Sequence, residues 1–132
     1  MLMENVAALV SKKFIGQFKK WQLELSQYGY TNFSQVLNAK NYGVPQNRER
    51  IFMVSVLNCT EGFYFPTPIP LEKRLKDVLE ENVEERYYIS ESLINTFNKH
   101  AERQGGIGKG FAWNPTDGDC VGHCLETKCQ PR

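Results

Sequence analysis

The sequence predicts an α/β fold, and three observations carry that prediction. Val6, Val10, Phe14, Phe18, Trp21, Leu25 and Tyr28 recur at gaps of three or four residues, the period of one helix face. Ile51-Phe52-Met53-Val54-Ser55-Val56-Leu57 is an almost unbroken apolar run of strand length. Its lack of alternation predicts burial on both faces within a layered structure. Past Arg86 the texture changes, which puts a domain boundary near residues 86–90 and divides the chain into 1–86 and 87–132.

Taken in order, the helix runs from Val6 to Tyr28 and turns Lys12, Lys13, Lys19 and Lys20 to solvent. Gly29 stops it, because glycine adopts a left-handed cap without strain. A core-packing helix with a solvated basic face accounts for this pattern better than a membrane- or DNA-binding helix. Val36-Leu37-Asn38-Ala39 is a short strand, joined through the Gly43-Val44-Pro45 turn to the 51–57 strand as an antiparallel partner. Residues 63–70 form an extended linker, since each of Pro66, Pro68 and Pro70 pushes its predecessor away from helix. A short helix covers residues 71–79 with Leu71, Leu75, Val78 and Leu79 inward, and Ser90 caps another that reaches Arg103. The glycine-rich run 105–110 is a flexible loop, not a phosphate-binding loop, because Lys109 is followed by glycine and no clear strand precedes it. Asp117-Gly118 marks a turn. No internal repeat is visible, and Gln130-Pro131-Arg132 shows neither a helix end nor a tail pattern, so the chain reads as a piece cut from a longer one.

Bulk properties exclude some classes and leave others open. The 132 residues suit one small domain or a piece of a larger one, and 41% apolar with 23% charged residues argues against bulk disorder. A formal charge of +1 neither supports nor excludes a nucleic-acid partner. No apolar run approaches the roughly 20 residues that span a bilayer, and Met1-Leu2-Met3 leads straight into Glu4-Asn5, so no signal peptide or membrane partner is expected. Four cysteines without a secretion signal fit a reducing, cytoplasmic setting. Cys120, His123, Cys124 and Cys129 invite a zinc reading, but C-x3-C-x4-C lacks the paired C-x2-C knuckle of common zinc sites and reads as ordinary thiols.

The stretch NAKNYGVPQNRER, residues 38–50, is the chemically pointed one. Residues two apart on a strand project to one side, so Arg48 and Arg50 point together and Glu49 points away. Two guanidiniums on one side suit phosphates or a carbonyl oxygen. Taken alone, an R-x-R pair at a strand edge is as well explained by solvation or salt bridging. The pair does not stand alone: Glu4-Asn5-Val6, an amphipathic helix, the N-A-x-x-Y-G-x-P-Q turn, Gln46, Arg48, Arg50 and an apolar strand follow one another. This order resembles the DNA methyltransferases that methylate carbon 5 of cytosine, over residues 4 to about 86.

The resemblance implies the C-terminal part of a Rossmann-like, S-adenosylmethionine-dependent methyltransferase domain over 1–86. The start of a small, mainly β target recognition domain would follow over 87–132. It implies that Glu4 supplies a proton or strong hydrogen bond at ring nitrogen 3 of the target cytosine, and that Arg50 reaches its oxygen 2. Arg48 would brace the site through Glu4 and a phosphate, and Gln46 would hold the turn. The base must be flipped out of the duplex. Thr127 and Lys128 fall where the recognition domain would meet DNA; Cys124 replaces a threonine usual there, and Glu126 brings negative charge close to DNA. The family's glycine-rich cofactor loop and Pro-Cys nucleophile are absent from these 132 residues, and Cys129, preceded by Lys128, does not replace the latter. The cofactor is then S-adenosylmethionine, held mainly outside this chain; the partners are duplex DNA, the N-terminal half of such an enzyme and, through an open sheet edge, a second copy. A companion restriction enzyme fits the same picture. Two other readings stay open: a non-catalytic DNA- or protein-binding module, and a small zinc domain.

Overall fold

The computed structural model describes residues 1–105 and 115–124. Three strands, β1 (Leu2–Val6), β2 (Tyr30–Asn38) and β3 (Glu49–Leu57), form one sheet in the order β1-β3-β2. β3 is antiparallel to both neighbours, so β1 and β2 run parallel to each other and need a crossover between them. Helix α1 (Ile15–Gln27) supplies it.

Alternation along β3 gives its two faces different work. Ile51, Met53 and Ser55 are buried beneath α1, whereas Arg50, Phe52 and Val54 on the other face stay partly exposed. Phe18, Ile51 and Met53, at 4%, 2% and 0% exposure, form the core, with Met3, Leu9, Val10, Ile15, Trp21 and Leu25 packed around them. Complete burial of a side chain such as Met53 stabilises the fold by roughly 1.5–3 kcal/mol. The one buried hydroxyl among these strand residues is satisfied: Ser55 Oγ lies 2.6 Å from Asn32 Oδ1, and Asn32 Nδ2 donates to the Gln22 carbonyl of α1 at 2.9 Å. Sheet and helix are thereby tied by polar as well as apolar contacts.

Several sequence expectations are corrected. The helix does not begin at Val6. That residue ends β1, a 3-10 turn covers Ala7–Val10, and α1 starts only at Ile15. The four-residue spacing of Val6, Val10 and Phe14 is therefore accidental, and Phe14 and Tyr28 are exposed rather than core. β2 begins at Tyr30, six residues before the expected strand, because nine consecutive residues find partners on β3. β3 is buried chiefly on one face, not both. Only Leu75–Val78 forms a helical turn within residues 71–79, and Val78 and Leu79 lie exposed. Other expectations hold. β2 and β3 are antiparallel, Gly29 ends the α1 segment with φ +84°, and Ser90 Oγ accepts from the Leu93 N–H at the start of α2 (Glu91–Gly105).

The linker 63–70 is held to the sheet module by rings and hydrogen bonds. Phe63 packs between Phe33 of β2 and Phe65, Tyr42 Oη donates to the Pro66 carbonyl at 3.1 Å, and the Ile69 N–H donates to Asn41 O. Residues 115–124 return to the same neighbourhood. Gly122 bridges Gln46 in parallel, donating its N–H to Pro45 O and accepting from the Asn47 N–H, both at 2.8 Å. Contacts therefore join the two sides of the expected 86/87 boundary. Most of the glycine-rich run, Thr127, Lys128 and Cys129 lie outside the described residues. Among the described residues no helix is long and apolar enough to cross a membrane, and no three His, Cys, Asp or Glu side chains gather as a metal site.

Candidate functional site

The solvent-side face of the sheet carries the site. Register places Glu4 of β1 directly across from Phe52, and Leu37 of β2 directly across from Arg50. All four side chains consequently share one face. They line a cavity of about 350 Å³ together with Ala39, Tyr42, Arg48 and Pro66, at the small end of the range for small-molecule sites. Arg48 precedes β3 by one residue yet faces the same chamber as Arg50, as the two-residue spacing predicts.

Within the chamber the acid and one arginine are already in contact. Arg50 Nε lies 3.1 Å from Glu4 Oε1, with the two side chains 18% and 45% exposed, and Arg50 Nη1 donates to Glu49 O at 2.7 Å. Glu4 is a strand residue whose carboxylate reaches an arginine 46 positions later in the sequence. Arg48 takes another partner. Its Nη1 lies 3.4 Å from Cys124 Sγ on the returning segment. The expected brace from Arg48 to Glu4 is replaced here by Arg50, because Arg50 lies on the strand next to β1 and Arg48 lies beyond its end.

The turn that delivers the arginines is built by side chains that the motif alone did not single out. Asn38, 7% exposed, ends β2 and caps the 3-10 turn Ala39–Tyr42 by accepting from the Lys40 N–H. Gly43 closes that turn at φ +80°, a conformation side-chain-bearing residues adopt at a cost. Gln46 contributes through its backbone, standing in the bridge to Gly122. The signal for Asn38 was present in the sequence, since asparagine before a tight turn commonly caps it.

A carboxylate acceptor beside a fork of guanidinium donors, on an apolar floor of Leu37 and Phe52, complements a flat ring with adjacent donor and acceptor atoms. The same chamber does not fit a sulfonium cofactor: two guanidiniums repel a positive sulfur. A further cavity of about 330 Å³ on α2 is lined by Thr96, Lys99, His100 and Arg103 of one helix face and brings no acid and base together.

Comparison with known proteins bears on the same residues. The model of the C-5 cytosine-specific DNA methylase family matches residues 1–128. Type II methyltransferase M2.ScrFI of Lactococcus lactis subsp. cremoris is 44% identical over 95 residues, which is 72% of this chain and 26% of that protein. Type II methyltransferase M.NlaX of Neisseria lactamica is 36% identical over 112 residues, 85% of this chain and 36% of that protein. The chain therefore spans well under half the length of either relative. In fold it is similar to the crystal structure of the S. pombe Dnmt2 methyltransferase, with a TM-score of 0.66 at 20% identity over 94% of this chain and 38% of that one. On the family match and these relatives, the chain belongs to the family of C-5 cytosine-specific DNA methylases.

Proposed function

We propose that this chain forms the target-base side of a DNA (cytosine-5)-methyltransferase, which transfers a methyl group from S-adenosylmethionine to carbon 5 of a cytosine flipped out of duplex DNA. The observation that carries the reading is the Glu4–Arg50 contact, made across two strands and facing a chamber that Arg48 also lines. S-adenosylmethionine supplies the methyl group; these residues do not form its seat, and the Pro-Cys nucleophile lies outside them. The chain alone is then inactive and works with an N-terminal portion that carries both.

The roles follow from the ring. Addition of a nucleophile at carbon 6 pushes negative charge toward nitrogen 3 and oxygen 2. Glu4 hydrogen-bonds nitrogen 3, holds a proton there as charge develops, and accepts from the 4-amino group. Arg50 has five N–H donors, enough to keep Glu4 and still reach oxygen 2. Donors fixed in advance at the growing charge cost no reorganisation during the step. Arg48, whose charge is permanent and which lines the same chamber, is proposed to meet a backbone phosphate beside the extruded nucleotide. Thr127 and Lys128 are proposed to approach DNA from the recognition segment.

The test is reconstitution with an N-terminal methyltransferase portion that carries the thiol and cofactor loop, read by transfer of labelled methyl to duplex DNA. Arg50→Ala should lower the rate about 10²–10³-fold, the usual loss for one charge-stabilising donor, and Glu4→Gln should lower it at least as far. Turnover unchanged in either variant sinks the assignment of that residue.

A further inference from the structure

We infer that Asn38 is a positioning residue that sets the height of Arg48 in the chamber, an inference that rests on the function proposed for that site. Asn38 and Arg50 stand on opposite faces of the sheet, because Arg50 pairs with Leu37 and Asn38 with Glu49. Asn38 therefore acts on the chamber through its neighbours. Its side chain makes three hydrogen bonds while almost wholly removed from water. Oδ1 accepts from the Arg48 N–H at 3.1 Å and from the Lys40 N–H at 3.3 Å, and Nδ2 donates to Asn47 Oδ1 at 2.7 Å.

These bonds fix the two ends of one loop. Lys40 lies in the 3-10 turn Ala39–Tyr42, and Asn47-Arg48 ends the loop that leads into β3 and Arg50. Both Tyr42 and Arg48 line the chamber. One backbone bond, from the Ala39 N–H to Arg48 O at 3.0 Å, closes the same ring. That bond continues the β2–β3 ladder, and the Val44 N–H to Ala39 O bond and the Gly122 bridge hold the loop elsewhere. The forked amide of Asn38 adds a side-chain tie that reaches the Lys40 and Arg48 N–H groups together. A longer or shorter side chain cannot hold both N–H groups at once, whereas aspartate can: its carboxylate keeps both acceptor roles, and the Asn47 amide needs only to turn over to donate instead.

The experiment compares Asn38→Ala with Asn38→Asp in two readouts on the whole chain. The first needs no DNA: amide hydrogen exchange at Arg48 by NMR. Asn38→Ala should speed exchange at least tenfold there while leaving Met53 unchanged, and Asn38→Asp should stay within threefold of the parent. The second uses two duplexes, one holding a fluorescent cytosine analogue that brightens on unstacking and one abasic at the same position. Asn38→Ala should weaken binding of both duplexes to a similar degree, about tenfold, because the phosphate that Arg48 is proposed to meet is present in both, and Asn38→Asp should restore it. Weakening confined to the duplex that holds the cytosine analogue, binding of both duplexes unchanged, or Arg48 exchange unmoved by Asn38→Ala, overturns the inference. If Asn38→Ala fails to fold, loss of Arg48 protection in Asn38→Asp overturns it just as well. Absence of any fluorescence change in the parent chain counts instead against the proposed function, and the exchange arm then decides Asn38 alone.

Discussion

Two regions of this molecule are fixed by different forces. The sheet with α1 is held by burial: Phe18, Ile51 and Met53 are shut away from water, and the hydrogen-bond ladder follows the apolar alternation. The returning segment 115–124 is held by points. Gly122 exchanges two backbone bonds with the arginine turn, Leu75 and Lys76 N–H groups donate to Cys120 and Gly118 carbonyls, and Lys76 pairs with Asp119. Burial is insensitive to small displacements, whereas each point contact is lost by one. The comparison teaches that the chamber has a rigid wall, Glu4, Phe52 and Arg50 on the buried strand pair, and an adjustable one, where the Arg48 side chain, its backbone held by Asn38, leans on Cys124 of the point-held segment.

The rigid wall should fail only with the core. Met53→Ala removes a fully buried side chain from the centre of β3, and its expected cost is about 2–5 kcal/mol in the denaturant-unfolding free energy. Glu4, Phe52 and Arg50 hang on the same strand pair, so base binding should fall in proportion to the unfolded fraction and not before. A cost below about 1 kcal/mol would show that the sheet draws its stability from elsewhere and would break the distinction.

The same contrast explains what the sequence disclosed. β3 and the shared direction of Arg48 and Arg50 were legible, since strand period is a local property. The Ser90 cap and the Gly29 stop were legible for the same reason. Burial on one face instead of both was not, because β3 places Ser55 inward, and a hydroxyl satisfied by Asn32 from another strand cannot be foreseen from the run itself. Val6 misled, since its spacing to Val10 and Phe14 matched a helix while its backbone was committed to Arg50 on β3. Which arginine meets Glu4 depends on register between β1 and β3, a long-range fact. Contact between Arg48 and Cys124 spans 76 positions and had no local signal.

The adjustable wall can be released without touching the core. Gly122→Pro deletes the N–H that donates to Pro45 O, at an expected cost of about 1 kcal/mol for the bond. No larger side chain fits easily either, since a Cβ at Gly122 would stand 3.2 Å from Leu75 Cδ1 and 3.3 Å from Pro45 O. Amide exchange at Asn47, which donates to Gly122 O, should quicken at least tenfold while Met53 keeps its protection. Equal loss at both positions would mean that the returning segment and the sheet unfold as one unit, and the two-wall picture would go.

The smallest expected effect isolates the charged tether of the returning segment. Asp119 is held below the ordinary carboxylate range, first by its hydrogen bond to Lys76 and then by that ammonium's charge, and Lys76 is correspondingly raised by Asp119. A depressed acid contributes stability above its unfolded-state value and loses it as pH falls through the folded one; a raised base contributes below its ordinary value and loses it as pH climbs through the folded one. The tether is therefore intact across neutral pH and fails at both extremes, the acid side first in any approach from pH 7 downward. Both groups are exposed, so salt screens the pair. Exchange at the Lys76 amide, which donates to Gly118 O, should rise slightly in Lys76→Ala at pH 7 and low salt. The difference from the parent should vanish in 1 M salt or once Asp119 is protonated. A difference that persisted under both conditions would assign the segment's hold on residues 74–76 to backbone bonds and packing, leaving the charges no part in it.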